Sequence, residues 1–173
     1  MRLLSDDVLY LRPVEPEDLE LLYREENDSS IWWLGEQTGP YSRFLLRQYL
    51  ADVTGDIYTD RQLRLVAVRC ADDMPVGLVD LSNFSPQHLR AEVGVLVFPQ
   101  FRSQGYALRM LKLLEDYARE HLRLHQLYAF TPIINEAAVE LFRNQGFTQG
   151  YVLKDWLLLA DGHADALLMQ KIL

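Results

Sequence analysis

Residues 91–107 have the sequence AEVGVLVFPQFRSQGYA, and this stretch decides the expected fold. Its first half, residues 91–98, is the most apolar strand-forming segment of the chain and predicts a strand at the centre of a sheet. Pro99 has no backbone N–H group, so it ends the hydrogen-bond ladder of that strand. A helix over about residues 105–121 follows, because apolar residues recur there at helical spacing. The rest of the chain is arranged around this strand and helix.

The segments before this unit predict three strands and two helices. A strand over residues 8–13 precedes a helix that begins at Pro16, where the following acidic residues suit the positive end of the helix dipole. Ser42 is a candidate N-cap for the second helix. Strands over residues 63–70 and 76–83 flank a turn and therefore predict an antiparallel hairpin.

The segments after the long helix complete the sheet. A short strand over residues 127–131 implies a right-handed parallel crossover from the central strand. Asn135 can cap another helix, which Gly146 ends, and strands over residues 148–159 and 164–171 close the chain. The expected fold class is α/β: one mixed, mostly antiparallel sheet with helices on both faces.

Length and composition limit the possible classes of protein. The chain has 173 residues and fits one domain, 1–173, and its 49% hydrophobic and 24% charged content excludes wholesale disorder. The one cysteine, Cys70, excludes a disulfide framework and is expected to be a small core residue. No apolar run approaches the roughly 18 residues of a membrane span. Acidic residues near the start argue against a signal peptide, so a cytoplasmic location is expected and no membrane contact.

The charge of the chain is uneven. The net charge is −8, and residues 1–36 hold ten acidic and three basic residues. Nucleic-acid binding is not expected, because neutralising phosphates needs clustered cations. A cationic partner would be attracted, although the charge can equally serve solubility. The four histidines show no metal-ligand spacing, so no metal site is expected.

The loop between the central strand and the long helix is a candidate anion site. Gly105 and Ala107 carry little or no side chain where the helix begins, so free N–H groups there can face an anion. Arg102 adds a fixed positive charge that can reach phosphate oxygens. The loop matches neither a Walker motif nor a dinucleotide fingerprint. A simple turn is the alternative interpretation.

Three blocks of the chain together resemble the GNAT superfamily of acyl-CoA N-acetyltransferases. Residues 102–107, Arg-Ser-Gln-Gly-Tyr-Ala, match the family signature Arg/Gln-x-x-Gly-x-Gly/Ala. Residues 11–19, with Leu-Arg-Pro followed by Glu-Asp-Leu, resemble a typical opening, and residues 135–147 resemble the second conserved block. The order of elements also agrees, so the resemblance covers most of the chain and implies a single GNAT-like N-acetyltransferase domain.

Two further segments resemble the spermidine N-acetyltransferase branch of that superfamily. They are Gly-Leu-Val-Asp-Leu at 77–81 and Leu-Arg-Ala-Glu at 89–92. Ribosomal-protein N-terminal acetyltransferases are similar over the same blocks. The resemblance therefore implies acetylation of a polyamine such as spermidine. The alternatives are acetylation of a protein or peptide amino group, and a catalytically weak acyl-CoA-binding regulatory module.

The resemblance implies acetyl-CoA as co-substrate, bound where the central strand and the strand after the long helix lie side by side. The pantetheine arm would pair with the backbone of the central strand and contact Asn135, and the loop amides would hold the pyrophosphate. A homo-oligomer is also expected. The implied cofactor-binding residues are Val95, Leu96, Val97, Arg102, Ser103, Gln104, Gly105, Tyr106, Ala107, Asn135 and Phe142.

The implied reaction needs a group that accepts a proton from the amine, whose pKa is about 10. Glu92 is the candidate base, and Asp80 is the second candidate and is favoured for orienting the amine. Trp33 and Glu36 are candidates for binding the ammonium group of the substrate. Each carboxylate could instead be a solvated or ion-paired side chain. The acidic residues near 25–28 could bind a polyamine or form a solvated helix face.

One position departs from the family pattern. Many GNAT enzymes place a tyrosine in the second block, where it can protonate the leaving thiolate, whereas this chain has Phe142. Another tyrosine, with Tyr106 and Tyr128 nearest by element position, or solvent could supply the proton. Alternatively, the chain binds acyl-CoA with little transfer.

Overall fold

In the computed structural model, residues 4–34 and 37–173 are described. Within them seven strands form one sheet. The strands are β1 (Leu9–Pro13), β2 (Leu63–Arg69), β3 (Met74–Ser85), β4 (Arg90–Val97), β5 (Gln126–Pro132), β6 (Thr148–Leu159) and β7 (Gly162–Ile172). Their spatial order is β1-β2-β3-β4-β5-β7-β6. The mixed, mostly antiparallel sheet expected from the sequence is confirmed.

Helices cover both faces of the sheet. They are α1 (Leu19–Glu26), α2 (Arg43–Asp52), α3 (Ile57–Asp60), α4 (Tyr106–Glu120) and α5 (Glu136–Asn144), with single 3₁₀ turns at Pro16–Asp18, Trp32–Leu34 and Pro99–Phe101. Leu22 of α1 and Leu46 of α2 belong to the core on one face. Met110 of α4 and Phe142 of α5 belong to the core on the other face. The two cores share the sheet, as the alternating apolar pattern of its strands requires.

The seam between β4 and β5 is short. It is the only parallel pair within the described residues, and its register covers residues 90–92 opposite residues 126–128. β5 then pairs along its whole length with β7. Residues 93–97 of β4 pair with β3 on one side but with no strand on the other, within the part of the chain described. A gap therefore opens in the sheet after Glu92.

Two features differ from the sequence-based expectation. Helix α3 was not predicted; its four residues are stabilised by Asp56, whose carboxylate accepts from the N–H groups of Tyr58 and Thr59. Cys70 is exposed, so the prediction of a core residue is wrong. Cys70 directly follows the last residue of β2, where the chain enters a turn and the strand no longer directs its side chain inward.

A buried ion pair connects α4 to β7. The Nζ atom of Lys171 donates to Oε2 of Glu115 at 2.6 Å, and Glu115 is 3% exposed. Its other carboxylate oxygen has no hydrogen-bond partner among the described residues. Burial raises the pKa of Glu115, although Lys171 acts in the opposite direction. Among the described residues, Lys171 is therefore the one cation that hydrogen-bonds this carboxylate.

Replacing Lys171 by methionine is expected to lower the free energy of unfolding by about 3 kcal/mol at pH 7, because an unpaired carboxylate would remain buried. Urea unfolding measures this change. The loss should shrink near pH 5, since a raised pKa lets Glu115 take up a proton in the folded state as the pH falls. The double variant Glu115→Leu/Lys171→Met should recover most of the loss. A double variant as unstable as Lys171→Met would contradict the assignment.

Candidate functional site

The gap between β4 and β5 leads to the loop before α4. The backbone has positive φ at Ser103 (60°) and at Gly105 (79°). Within the described residues, the N–H groups of Ser103, Gln104 and Gly105 donate to no acceptor. The N–H groups of the first turn of α4 add further free donors. The loop and helix end therefore form a concave set of donors.

This set of donors suits an anion. A Cβ atom at Gly105 would have no neighbouring atom within 4 Å, so the space beside this residue is open. The Nε atom of Arg102 donates to the carbonyl of Val97 at 3.2 Å, which holds the guanidinium beside the end of β4. Oriented N–H groups, a helix N-terminus and a guanidinium together favour phosphate oxygens.

The other predicted cofactor residues lie on both sides of the gap. Val95 and Val97 pack against the core under α4, and Leu96 packs against the opposite core. Asn135 is the N-cap of α5, and its Oδ1 atom accepts from the N–H group of Ala138 at 3.2 Å. Asn135 therefore stands where β5 gives way to α5, beyond the gap. Its role toward a cofactor stays a prediction.

Phe142 is buried, and its ring lies 5.0 Å from that of Phe147. The two tyrosines considered in its place have different surroundings. The ring of Tyr106 is buried, and its hydroxyl accepts from Arg69 at 3.3 Å, away from the gap. Tyr128 is the register partner of Glu92 across the parallel seam, so the gap opens immediately beyond it. Burial, reinforced by the Glu92 carboxylate, raises the pKa of Tyr128.

A cavity of about 900 Å³ opens beside this seam. Glu92 is the one acidic residue among the described residues that line it, and three tryptophans provide much of its wall. The rings of Phe130 and Trp156 stack at 5.8 Å, and Phe130 also contacts the ring of Tyr128. The lining residues are Trp32, Trp33, Gln37, Ser82, Asn83, Glu92, Phe130, Pro132, Trp156, Leu157, Leu158 and Ala166.

A hydrogen bond from Asn83 orients the Glu92 side chain. The Nδ2 atom of Asn83 donates to Oε2 of Glu92 at 2.8 Å. Asn83 has a φ of 48° and lies where the register between β3 and β4 shifts. Asparagine tolerates this left-handed backbone better than most residues. The irregularity thus directs an amide at the carboxylate, a contact that the sequence analysis did not predict.

Asp80 lies in a neighbouring cavity of about 230 Å³, beside residues 94–96 of β4. Its Oδ1 atom accepts from Nε of Arg64 at 2.6 Å, and Arg64 also pairs with Glu26. Burial would lower the pKa of Arg64, but the two carboxylates more than offset this effect and raise it. The ion-paired state considered for Asp80 is therefore the one observed. Trp32 and Gln37 line both this cavity and the larger one.

The N-terminal residues considered for binding the amine lie in different surroundings. Trp33 lines the 900 Å³ cavity, with its indole N–H donating to the carbonyl of Ser30 at 2.9 Å. Glu36 lies outside the described residues. Glu25 is buried and pairs with Arg24 at 2.8 Å, so this carboxylate is not part of a solvated acidic face.

The described residues present neither a candidate metal cluster nor a membrane-spanning helix. No group of three or more histidine, cysteine, aspartate or glutamate side chains is placed to hold a metal ion. None of the helices there is long and apolar enough to cross a membrane.

A family model matches most of the chain. Residues 9–148 match the family model described as "Acetyltransferase (GNAT) domain". The chain is 32% identical over 151 residues to a spermidine N(1)-acetyltransferase of Escherichia coli (strain K12), a match that covers 86% of this chain and 77% of the relative. It is 27% identical over 153 residues to a spermidine N(1)-acetyltransferase of Vibrio cholerae, which covers 87% and 85%.

Solved structures show the same fold. A crystal structure of spermidine N-acetyltransferase from Vibrio cholerae in complex with CoA and spermine superposes with a TM-score of 0.87 at 23% identity, over 96% of both chains. A dodecameric structure of spermidine N-acetyltransferase from Vibrio cholerae superposes with a TM-score of 0.82 at 25% identity, over 96% of this chain and 95% of that one.

Proposed function

The chain belongs to the GNAT acetyltransferase family, and on that premise we propose that it acetylates a primary amine of a polyamine such as spermidine, using acetyl-CoA. The observation that carries the proposal is the cavity holding Glu92, which opens beside the unpaired edge of β4. The 32% identity with a spermidine N(1)-acetyltransferase supports the choice of amine.

The residues around the gap fit acetyl-CoA. Acetyl-CoA supplies an activated acetyl group, which passes to the amine as the new N–C bond forms and the C–S bond breaks. The donors of residues 103–107 would hold its pyrophosphate, with Arg102 adding charge. The free edge of residues 93–97 can pair with the pantetheine amides as an added strand does. Backbone N–H groups at this edge would also stabilise the oxyanion.

Glu92 is proposed as the group that takes a proton from the substrate ammonium, directly or through water, so that the free amine can attack the thioester carbonyl. Asn83 fixes one carboxylate oxygen, so the carboxylate is held toward the cavity. The tryptophan and phenylalanine rings of the same cavity suit an alkylammonium chain through cation–π contacts. Asp80 is proposed to orient the amine. Arg64 pairs with both Asp80 and Glu26, so one cation faces two carboxylates and one negative charge remains.

Tyr128 is proposed as the group that returns a proton to the departing thiolate. Phe142 has no proton to give, and the hydroxyl of Tyr106 is held by Arg69 outside the gap. Tyr128 of β5 is the register partner of Glu92 of β4, and this pair is the last one before the gap begins. Its raised pKa keeps the phenol protonated at neutral pH.

The proposal extends to assembly and location. We expect a homo-oligomer in the cytoplasm, supported for assembly by the dodecameric relative from Vibrio cholerae. The net charge of −8 disfavours nucleic-acid binding.

Mass spectrometry of acetylated products tests the proposed function. The protein is incubated with acetyl-CoA and a pool of spermidine, spermine, amino sugars, amino acids and peptides with free N-termini. Monoacetyl-spermidine is the expected product. A peptide product would instead assign the chain to the second alternative from the sequence. Bound acetyl-CoA without product would favour the regulatory module and refute the transfer reaction on these amines.

Replacing Gly105 by valine is expected to raise KM for acetyl-CoA by about tenfold and to change kcat much less. A β-branched residue is strained at positive φ, so the donors of the loop would shift. Steady-state kinetics with varied acetyl-CoA measure the effect. Gly55→Val is the matched control, because Gly55 has a φ of 74° and open space but lies outside the loop. Equal KM changes in both variants would contradict the role of the loop.

A further inference from the structure

Strand β6 carries a bulge beside the 900 Å³ cavity. The register of β6 against β7 shifts between Leu153 and Leu157, so residues 154–156 stand opposite the one residue Asp165. Asp155 has a φ of 50°, a left-handed backbone that aspartate tolerates better than most residues. β6 lies at the edge of the sheet, where bulges are common and redirect side chains.

The Asp165 side chain holds this bulge in place. Its Oδ1 atom accepts from the N–H group of Asp155 at 3.0 Å, and its Oδ2 atom accepts from Nζ of Lys154 at 2.6 Å. The Lys154 side chain is 76% exposed, so the ion pair is screened by water and contributes little by itself. The bond to the N–H group fixes the backbone. Asp165 therefore determines the direction of the chain immediately before Trp156.

Trp156 is the last of three aromatic rings in succession. The rings of Tyr128 and Phe130 lie 5.7 Å apart, and those of Phe130 and Trp156 lie 5.8 Å apart and are nearly parallel, at 26°. Tyr128 is the register partner of Glu92, so Trp156 stands at the end of the succession that is remote from the candidate base. Phe130 covers one face of the indole, while 54% of Trp156 is exposed and the residue lines the cavity.

We propose that Trp156 determines the affinity for the polyamine, by contacting the part of its chain remote from the reacting nitrogen, and that Asp165 is a positioning residue that acts through Trp156. This inference rests on the proposed polyamine function. Indole is the aromatic group that binds a cation best, and the ammonium must lie within about 6 Å of its ring. A displaced bulge therefore loses the contact. Because the contact is remote from the reacting centre, it lowers KM and leaves kcat unchanged.

Replacing Trp156 by leucine should raise KM for spermidine by about tenfold, because leucine keeps an apolar surface but cannot bind a cation through a ring. Trp156→Phe retains a weaker ring and should raise it by about threefold. In both variants kcat and KM for acetyl-CoA should stay within twofold of wild type. Steady-state kinetics with varied spermidine measure these constants. A KM for spermidine within twofold of wild type in Trp156→Leu would overturn the proposal.

The positioning role of Asp165 is tested by combining substitutions. Asp165→Ala should raise KM for spermidine by about tenfold, whereas Asp165→Asn keeps an acceptor for the N–H group and should have a smaller effect. In the Trp156→Leu background, Asp165→Ala should change KM by less than twofold. Asp116→Ala is the control, since it removes a comparable ion pair with Lys112 on α4. Equal effects of Asp165→Ala in both backgrounds would show that Asp165 does not act through Trp156.

Fluorine NMR of the full chain labelled with 5-fluorotryptophan follows Trp156 without catalysis. The chain has three tryptophans, and Trp156→Phe identifies the signal of Trp156 by its loss. Spermidine added with CoA should shift this signal in wild type. Asp165→Ala should move it before any amine is added, and Asp116→Ala should not. If Asp165→Ala does not fold, Asp165→Asn and Trp156→Leu still decide.

The two experiments separate this inference from the proposed reaction. A Trp156 signal that spermidine shifts, without any acetylated product, would refute the reaction but keep the role of Trp156. A Trp156 signal that spermidine leaves unmoved would overturn the inference, even if spermidine is acetylated.

Discussion

Replacing Glu92 by glutamine should lower kcat/KM for the amine by about 100-fold to 1,000-fold at pH 7, within the range that general-base catalysis contributes. Glutamine keeps the shape of the side chain and can still contact Asn83, but it cannot accept the proton. The substrate amine has a pKa of about 10 and arrives protonated at neutral pH. At pH 9.5 more of the amine is already neutral, so the loss should be smaller there.

Initial rates from pH 6.5 to 9.5, for wild type and variant, measure this effect. Glu120→Gln, at the exposed end of α4, is the control and should retain the wild-type profile. A Glu92→Gln profile that runs parallel to wild type at every pH would show that Glu92 binds or positions the amine but does not take its proton.

Replacing Tyr128 by phenylalanine should lower kcat by about tenfold to 100-fold, with little change in KM for acetyl-CoA. The ring contacts with Phe130 can persist without the hydroxyl, so the change removes the proton donor alone. Because burial and Glu92 raise the pKa of Tyr128, the phenol remains protonated through neutral pH, and the loss should be constant from pH 7 to 9.

A second substitution separates proton supply from packing. Phe142→Tyr in the Tyr128→Phe background should restore part of kcat, because it places a phenol on the other side of the gap. Tyr117→Phe is the control, since Tyr117 packs against the core under α4, away from Glu92. Unchanged kcat in Tyr128→Phe would mean that solvent protonates the thiolate.

Much of the fold follows from local sequence features. The apolar run of β4, the stripe of α4 and the caps Ser42 and Asn135 act over a few residues, and all four occur where they were expected. Helix α3 is only four residues long and has no apolar periodicity to reveal it. The exposure of Cys70 depends on where β2 ends, which the β-rich sequence around it does not specify.

The site was less predictable because it depends on contacts between distant segments. Glu92 and the loop at residues 102–107 could be identified because they resemble motifs of a family, and those motifs have a characteristic spacing along the sequence. Phe130 and Trp156 could not, because they meet at the cavity only once β7 lies between β5 and β6. Asn83 could not, because it contacts Glu92 through an irregularity in the register between β3 and β4. The pairing of Asp80 with Arg64 likewise requires the register of β2 against β3.

Because the seam between β4 and β5 is short, we expect the stability of the fold to depend on whether acetyl-CoA is bound. Only three residue pairs join the two halves of the sheet there, and the unpaired edge of β4 is the surface proposed to bind pantetheine. A ligand that binds the folded chain alone stabilises it by about 2.7 kcal/mol at a concentration 100 times its dissociation constant. Without bound acetyl-CoA the seam would lack this stabilisation, and we expect proteases to cleave the chain faster. The abundance of the enzyme would then follow the supply of its acetyl donor.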